Sequence, residues 1–245
     1  PLLKGQDPQR YLEPKNEYFI IFPYEINEQQ KARPLPIEAI KREYPLAYSY
    51  LLENQETLRA RERRRFDNSD EWYLFSRQQG ISEVEQVKII TPEIASGCQM
   101  ILDEKYNYHN TKCYSFILKT PDIELYKYYL AILNSKVLWF FLSNTGYVLR
   151  GGYFTFKTKY LFPFPLPEEP EDKSFYIKAV DKIMRLTESQ KMEILKFHRR
   201  LISSFTLDSL SKKLKSFYSL TFTQFLTELN KKKIKLFLTE QDKWE

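Results

Sequence analysis

Four prolines fall within eight positions of this sequence, at 163, 165, 167 and 170, and they limit the possible folds strongly. Proline fixes its own φ, donates no backbone hydrogen bond and biases the preceding residue towards extended conformations. Acidic residues surround the last of these prolines, so the segment is predicted to be a stiff, extended connector. We therefore predict two domains, one over residues 1–168 and a second over residues 169–245.

The composition is typical of a soluble globular protein with a basic last third. The chain has 245 residues, 42% of them hydrophobic, and no apolar run near the roughly 20 residues that a membrane helix needs. Cys98 and Cys113 are its only cysteines and no signal peptide precedes them, which favours a reducing, cytoplasmic setting without a membrane partner. Residues 1–170 carry 22 Lys/Arg and 22 Asp/Glu, and residues 171–245 carry 16 and 10, so the net charge of +6 arises in the tail. A chain that opens at Pro1 is expected to be a piece of a longer polypeptide.

Residue patterns predict an α+β first domain and a helical second domain. Aromatic and β-branched enrichment predicts strands at residues 18–22, 87–91, 113–119 and 153–156. A helix is predicted over residues 45–63, and the nearly all-apolar stretch 125–142 predicts a helix pair in the core, with a curved mixed β-sheet around it. Apolar positions recur at three- and four-residue steps over 180–204 and 207–229, which predicts a long amphipathic helical hairpin.

The sequence is poor in residues arranged for catalysis or metal binding. His109 and His198 are far apart, and neither has Cys, Asp or Glu at the spacing of a zinc site or a catalytic triad. No glycine-rich phosphate-binding motif and no Asn/Asp-Pro-Pro-aromatic motif of an amino-methyltransferase is present. The segment Glu13-Pro14-Lys15, with Asp7 upstream, has the local spacing of a metal-dependent nuclease, but its proline favours coincidence. We expect no catalytic residue and no metal ligand in this chain.

An arginine cluster ends the helix predicted over 45–63. Arg59, Arg61, Arg63, Arg64 and Arg65 place five arginines within seven positions. A guanidinium group can bind phosphate oxygens, or guanine O6 and N7, through two hydrogen bonds, so the last four of these arginines are candidate DNA contacts. The helix dipole also favours cations at a helix carboxyl end, and several carboxylates follow, so a structural role stays open.

A second candidate segment is residues 72–80, where Arg77, Gln78 and Gln79 follow a run of aromatic residues. The aromatic residues could anchor a loop in the core. Glutamine can pair with adenine through two hydrogen bonds, although a surface glutamine usually contacts only water. We take Arg77 and Gln78 as candidate DNA contacts.

A third candidate segment concentrates half of the six glycines in residues 146–152. Glycine lets the backbone approach a phosphate closely, and the alternation after residue 152 would put polar side chains on one face of a strand. The candidate DNA contacts here are Arg150, Gly151, Gly152, Thr155, Lys157 and Lys159. The two adjacent glycines are equally typical of a hairpin turn.

Several short motifs occur in an order that resembles a known domain. They are residues 4–7 (KGQD), 21–24 (IFPY), 45–61, 72–77, 88–94 (KIITPEI), 131–135 (AILNS), 151–153 and 160–167. Together they resemble the carboxyl-terminal target recognition domain of adenine-N6 DNA methyltransferases, the TaqI-like specificity domain found in type IIG restriction-modification enzymes. Arg77 and residues 150–152 match motif positions of that family, whereas the arginine cluster, Lys157 and Lys159 are inferred from charge.

The resemblance implies a division of labour within a longer enzyme. An upstream methyltransferase domain would bind S-adenosylmethionine and methylate a flipped adenine, and a type IIG enzyme would add an endonuclease domain that uses Mg²⁺. This chain would grip double-stranded DNA and read its sequence from the major groove, with no activity and no cofactor of its own. The helical tail resembles the spacer helices that follow such domains in specificity subunits. The alternative is a helical protein-interaction or assembly module in which the basic residues are merely solvated.

Overall fold

A computed structural model describes residues 1–14, 17–29, 31–78, 80–242 and 244. The chain forms two compact units, Pro1–Met184 and Arg185–Glu245, and the division between them falls inside one long helix. Within the described ranges, no helix combines the length and the apolar character that a bilayer span requires.

Short strands of the first unit form small sheets. They are β1 (Leu2–Leu3), β2 (Tyr24–Ile26), β3 (Ala32–Pro34), β4 (Lys88–Pro92), β5 (Ile94–Ala95), β6 (Ile101–Asp103), β7 (Tyr108–His109), β8 (Cys113–Phe116), β9 (Val148–Leu149) and β10 (Tyr153–Thr155). Strands β1 and β7 pair in parallel. The pair β2-β3 and the three-stranded sheets β6-β4-β8 and β5-β10-β9 are antiparallel.

Helices connect these sheets. They are α1 (Ile37–Glu43), α2 (Pro45–Glu53), α3 (Gln55–Arg59), α4 (Arg61–Arg64), α5 (Ile123–Leu133), α6 (Lys136–Thr145), α7 (Thr158–Leu161) and the start of α8 (Ser174–Phe205). Pro45 opens α2 where no backbone donor is needed. The side chains of Asp122 and Ser135 accept hydrogen bonds from amides in the first turns of α5 and α6, so each helix begins at a satisfied cap.

The first unit has two larger hydrophobic cores. One packs β2, α1 and α2 against residues 66–74, around side chains such as Ile40 and Trp72. The other packs α5 and α6 against the sheet of β4, and its Tyr126, Leu130 and Leu138 are almost fully buried. The arginine cluster directly precedes Phe66 of the first core, and the glycine-rich segment lies between Leu142 and Phe156 of the second.

The second unit contains the rest of α8 and three shorter helices, α9 (Lys212–Lys215), α10 (Phe222–Lys231) and α11 (Leu238–Gln241). Leu201, Leu214 and Leu229 are fully buried in its core. Glu228 of α10 accepts a hydrogen bond from Ser211, the residue that caps α9, at 3.0 Å, and another from Lys231 of its own helix at 2.7 Å.

The α+β class and the pair of core helices are confirmed. Several elements differ from those predicted from the sequence. The strands form separate small sheets instead of one curved sheet, and Tyr18 makes only an isolated bridge with Leu2. The helix over 45–63 is interrupted at Asn54 and Ala60. The second arm of the predicted hairpin is also interrupted, because a 3-10 turn at Phe217–Ser219 separates α9 from α10 while the same apolar residues still reach one core.

The predicted domain boundary at residue 168 lies upstream of the division between the compact units. The reason is that the start of α8 packs Val180 and Met184 into the second core of the first unit. The assignment of two domains over 1–168 and 169–245 stays a prediction.

Candidate nucleic-acid interface

The arginine segment, residues 59–78, contains arginines with opposite roles. Arg61 is half-buried and donates hydrogen bonds to three backbone carbonyls: from Nε to Leu58 at 2.8 Å, and from Nη2 to Trp72 at 2.7 Å and to Leu74 at 3.0 Å. Its guanidinium carbon lies 4.8 Å from the centroid of the Phe66 ring. These bonds use Nε and Nη2 of Arg61 to hold the loop of residues 66–74, so we assign Arg61 a structural role, and DNA contact by Arg61 stays a prediction.

Arg59 fixes the same loop from the preceding helix turn. Its Nη1 lies 3.2 Å from the carbonyl oxygen of Phe66, 2.7 Å from that of Asp67 and 3.0 Å from that of Ser69. Hydrogen bonds from a charged donor contribute about 1.5–3 kcal/mol each when well formed, about twice a neutral one. Arg59 and Arg61 thus act as a pair of clamps on one loop.

The next residues are exposed and have an unusual backbone. The φ angles of Glu62, Arg63 and Arg64 are 49°, 60° and 66°, all in the left-handed region. That conformation costs a non-glycine residue about 1–2 kcal/mol, so three in succession require the surrounding structure to hold them. Backbone hydrogen bonds from Arg64 to Ala60 and from Arg65 to Arg61 hold the turn, and it presents exposed Arg63, Arg64 and Arg65 side chains.

Neighbouring carboxylates neutralise these arginines only weakly. Nη1 of Arg64 lies 3.4 Å from Oδ2 of Asp67, and Nη1 of Arg65 lies 3.8 Å from Oε2 of Glu62, with all four side chains solvent-accessible. Exposed pairs of this kind contribute about 0–1 kcal/mol and exchange easily. Arg63 has no ion-pair partner in the described part of the chain. The turn can therefore bind an external anion at little cost.

Arg77 and Gln78 lie at the exposed end of the arginine segment. Gln78 hydrogen-bonds to Tyr24, whose hydroxyl also accepts the backbone N–H of Phe75 at 2.8 Å. Burial is the main reason that the pKa of Tyr24 is raised, so the phenol stays neutral and orients its neighbours. Gln79 and Lys15, named in the sequence analysis, lie outside the described residues.

The glycine hairpin consists of β9, β10 and the connecting residues 150–152. Leu149 pairs with Tyr153 across the hairpin, and the φ angles of Gly151 and Gly152 are +85° and +76°. A Cβ atom added at Gly152 would meet no atom within 4 Å, so the glycines are needed for their backbone conformation and not for close packing. The prediction of a hairpin turn at the two glycines is confirmed. The turn, with its exposed Arg150, is open to an approaching phosphate.

The proposed polar face of Thr155, Lys157 and Lys159 is wrong, because β10 ends at Thr155. Lys157 is the residue that precedes α7 and Lys159 lies within that helix, so the two-residue alternation of a strand no longer applies. Thr155 is only 5% exposed, and its Oγ1 has no hydrogen-bond partner among the described residues. Lys157 and Lys159 are exposed and keep their place as candidate contacts.

The structure also brings together a group that sequence reasoning missed. Glu93, whose side chain is 12% exposed, pairs with Lys112 at 3.1 Å through Oε2 and with Lys157 at 3.5 Å through Oε1. Its backbone carbonyl accepts the N–H of Phe156 at 2.8 Å, which fixes it beside β10. Residues 93, 112 and 157 are too far apart in sequence for any spacing rule, and only the motif at 88–94 drew attention to Glu93.

The motif at residues 131–135 has a structural explanation. Asn134 is 1% exposed, and its amide makes a reciprocal pair with the backbone of Met100, with both hydrogen bonds at 2.9 Å. Ser135 then caps α6 by accepting the N–H of Leu138 at 3.2 Å. These two residues fix the corner between α5 and α6 against the strand region.

These features are those of a specificity domain with separate basic segments. The family of TaqI-like C-terminal specificity domains matches residues 1–166, and the chain belongs to that family. Residues 169–245 match a domain family of unknown function, DUF8810.

A relative of known activity is similar over much of the chain. It is the type II restriction enzyme and methyltransferase RM.Eco57I of Escherichia coli, which is 26% identical over 171 residues. The match covers 64% of this chain and 17% of the relative, so the chain spans less than a fifth of that protein. The family resemblance predicted from the ordered motifs is confirmed.

Proposed function

We propose that this chain is the target recognition module of a restriction-modification DNA methyltransferase and binds double-stranded DNA in a sequence-specific way. Membership of the specificity-domain family and the similarity to a restriction enzyme and methyltransferase support this function. The observation that carries it is the turn that begins with left-handed residues 62–64 and exposes the guanidinium groups of Arg63, Arg64 and Arg65 to solvent. Exposed guanidinium groups with at most weak ion pairs suit a phosphate backbone or guanine edges.

The remaining candidates divide by chemistry. Lys157, Lys159 and the open turn at Gly151-Gly152 suit phosphate oxygens, which position a protein on the duplex. Arg77, Gln78 and Arg150 have side chains that can read guanine or adenine in the major groove.

The parent enzyme is proposed by analogy with the relative. It would be a cytoplasmic, type IIG adenine-N6 methyltransferase whose catalytic domains precede this module in one polypeptide. S-adenosylmethionine would serve the methyltransferase domain and Mg²⁺ an endonuclease domain, while this chain supplies recognition only. Methylome sequencing of the source organism with and without the encoding gene tests this assignment: a sequence motif that loses N6-methyladenine supports it, and an unchanged methylome contradicts it.

A salt titration tests DNA binding directly. We expect log affinity for a duplex to fall linearly with log salt concentration, with a slope of about −0.9 per neutralised phosphate. Replacing Arg63, Arg64 and Arg65 by Ala should weaken binding and make the slope shallower by about 0.9 for each phosphate that these arginines neutralise.

A matched control removes the same charge from the tail. Lys232, Lys233 and Lys235 are exposed in the second unit, and their replacement by Ala should leave the slope close to that of the wild type. Equal effects of the two triple variants would contradict a specific role for the arginine turn. Salt-insensitive self-association without any DNA binding would instead favour the assembly module.

A further inference from the structure

A polar cleft in the first unit lies outside the arginine segment and the glycine hairpin. It has a volume of about 680 Å³, within the range of about 300–1,000 Å³ that is typical of small-ligand sites. Its walls come from the first residues of the chain, from the segment after β5 and from the start of α6. The lining side chains that matter for its chemistry are Gln6, Gln9, Arg10, Gln99, Lys136 and Trp139.

The charged side chains that line this cleft are basic. Arg10 and Lys136 line it, and its described lining contains no Asp or Glu. The first 170 residues as a whole have equal numbers of acidic and basic residues, so the cleft is more basic than this part of the chain on average. Burial raises the pKa of the Cys98 thiol in the wall to about 11, so that group is neutral near pH 7. The cleft is therefore suited to an anion.

A hydrogen bond holds Arg10 at the cleft, and the start of α6 places Lys136 there. Nη2 of Arg10 donates to the backbone carbonyl of Asn134 at 2.5 Å, and Asn134 is itself fixed by its amide pair with Met100. Lys136 is the first residue of α6, where the helix dipole disfavours a cation by a few tenths of a kcal/mol. Its ammonium group is exposed and has no ion-pair partner in the described ranges. Lys136 thus lies where it does not help the helix but would help to bind an anion.

The cleft is continuous with the sheet that carries the glycine hairpin. Phe154 of β10 pairs with Ala95 of β5, and Ser96 and Gly97, directly after β5, line the cleft. The Trp139 ring in the cleft wall makes an edge-on contact with Phe154, with centroids 5.1 Å apart. A polyanion that lies along the hairpin is therefore close to a second cationic site on the same scaffold.

We propose that this cleft binds a phosphodiester group of the DNA backbone through Lys136 and Arg10, with the glutamine amides as additional donors. The inference rests on the proposed DNA-binding function and adds a phosphate site whose cations, Arg10 and Lys136, are not among the DNA contacts predicted from the sequence. A free nucleotide would present the same phosphate ester as the DNA backbone. The test must therefore separate these two sources of phosphate.

The test uses the full chain and a random-sequence 20-base-pair duplex. We expect Lys136→Ala to raise the Kd several-fold at low salt and to make the salt slope shallower by about 0.9, because the variant neutralises one phosphate fewer. The matched control is Lys182→Ala, which removes an exposed lysine from α8 and should leave both quantities unchanged. A Lys136→Ala protein that binds like the control overturns the proposal.

Nuclear magnetic resonance locates the bound group independently of any substitution. In a duplex titration we expect the Gly97 amide and the Trp139 indole N–H to shift together with the amides of Gly151 and Gly152. Shifts confined to the hairpin overturn the cleft proposal and leave the DNA-binding function intact. Failure of the wild type to bind any duplex overturns both.

A parallel titration with deoxyadenosine monophosphate separates the two sources of phosphate. We expect no saturable shift of the Gly97 amide at submillimolar concentration, because one phosphate lacks the contacts that the hairpin makes with a continuous backbone. A saturable shift with the mononucleotide that the duplex does not produce would identify a free-nucleotide site and overturn the proposal.

Discussion

The arginine segment and the glycine hairpin both present an exposed turn with a left-handed backbone, but they hold it in different ways. In the hairpin, Gly151 and Gly152 adopt positive φ without a Cβ penalty. In the arginine segment, Glu62, Arg63 and Arg64 adopt the same region with full side chains. The hairpin turn therefore carries no such penalty, whereas the arginine turn carries it and is held by backbone hydrogen bonds from Arg64 to Ala60 and from Arg65 to Arg61.

The comparison teaches that one charged cluster can serve two purposes at once. Within seven positions, Arg59 and Arg61 use their donors on backbone carbonyls, while Arg63, Arg64 and Arg65 keep theirs exposed. Substitutions at neighbouring arginines should consequently change different properties: the stability of the unit in the first case and affinity for DNA in the second.

The largest expected effect is that of Arg61→Ala. Removing this guanidinium leaves the carbonyls of Trp72 and Leu74 without their donor, so we expect the free energy of unfolding of the first unit to fall by about 2–3 kcal/mol. Urea denaturation followed by circular dichroism measures it. The control is Arg63→Ala, which should change stability by no more than about 0.5 kcal/mol and yet weaken DNA binding. Equal destabilisation by the two variants would contradict the assignment of a structural role to Arg61 and a DNA-binding role to Arg63.

A smaller effect is expected for Gly152→Ala. A left-handed φ of +76° costs alanine about 1–2 kcal/mol, partly offset by the reduced entropy of the unfolded chain, so we expect a net loss of about 1 kcal/mol. Gly97→Ala is the matched control, because a Cβ there meets no atom within 4 Å and its φ lies outside the left-handed region. Thermal unfolding of both variants should show a lower Tm for the hairpin variant alone.

The smallest effect is expected for Glu62→Gly, which gives the arginine turn one glycine of the kind that the hairpin uses. Relief of about 1–2 kcal/mol of backbone strain should exceed the entropic cost of glycine and the loss of a weak pair with Arg65, so we expect a gain of about 0.5 kcal/mol. Chemical denaturation at neutral pH measures the change. A clear loss of stability would show that Glu62 is not strained in this turn.

Part of the fold and of the candidate site could be predicted from sequence. The helix pair from residue 125 follows from an apolar stretch too continuous for a surface helix, and the motif order was enough to identify the family. The Gly151-Gly152 hairpin could be predicted only as one of two alternatives, because glycine is equally compatible with a tight turn and with close approach of a ligand.

The remaining features depend on contacts between distant residues. Thr155, Lys157 and Lys159 were predicted to share one face because alternation was carried past the end of β10 at Thr155, where Lys157 instead precedes a helical turn. Glu93 forms ion pairs with Lys112 and Lys157. The three residues lie in different segments, and no sequence spacing relates them.

The sequence alone determined the class of this protein, because composition, helical periodicity and ordered short motifs can be recognised before the fold is known. The tertiary structure decided which charges are available. Arg61 and Arg63 are the same residue type in the same cluster. Arg61 lies within hydrogen-bonding distance of the carbonyls of Trp72 and Leu74, whereas Arg63 stays in solvent. Hydrogen bonding is short-ranged and directional, so the role of a charged side chain follows from the atoms that folding places within about 3 Å of it.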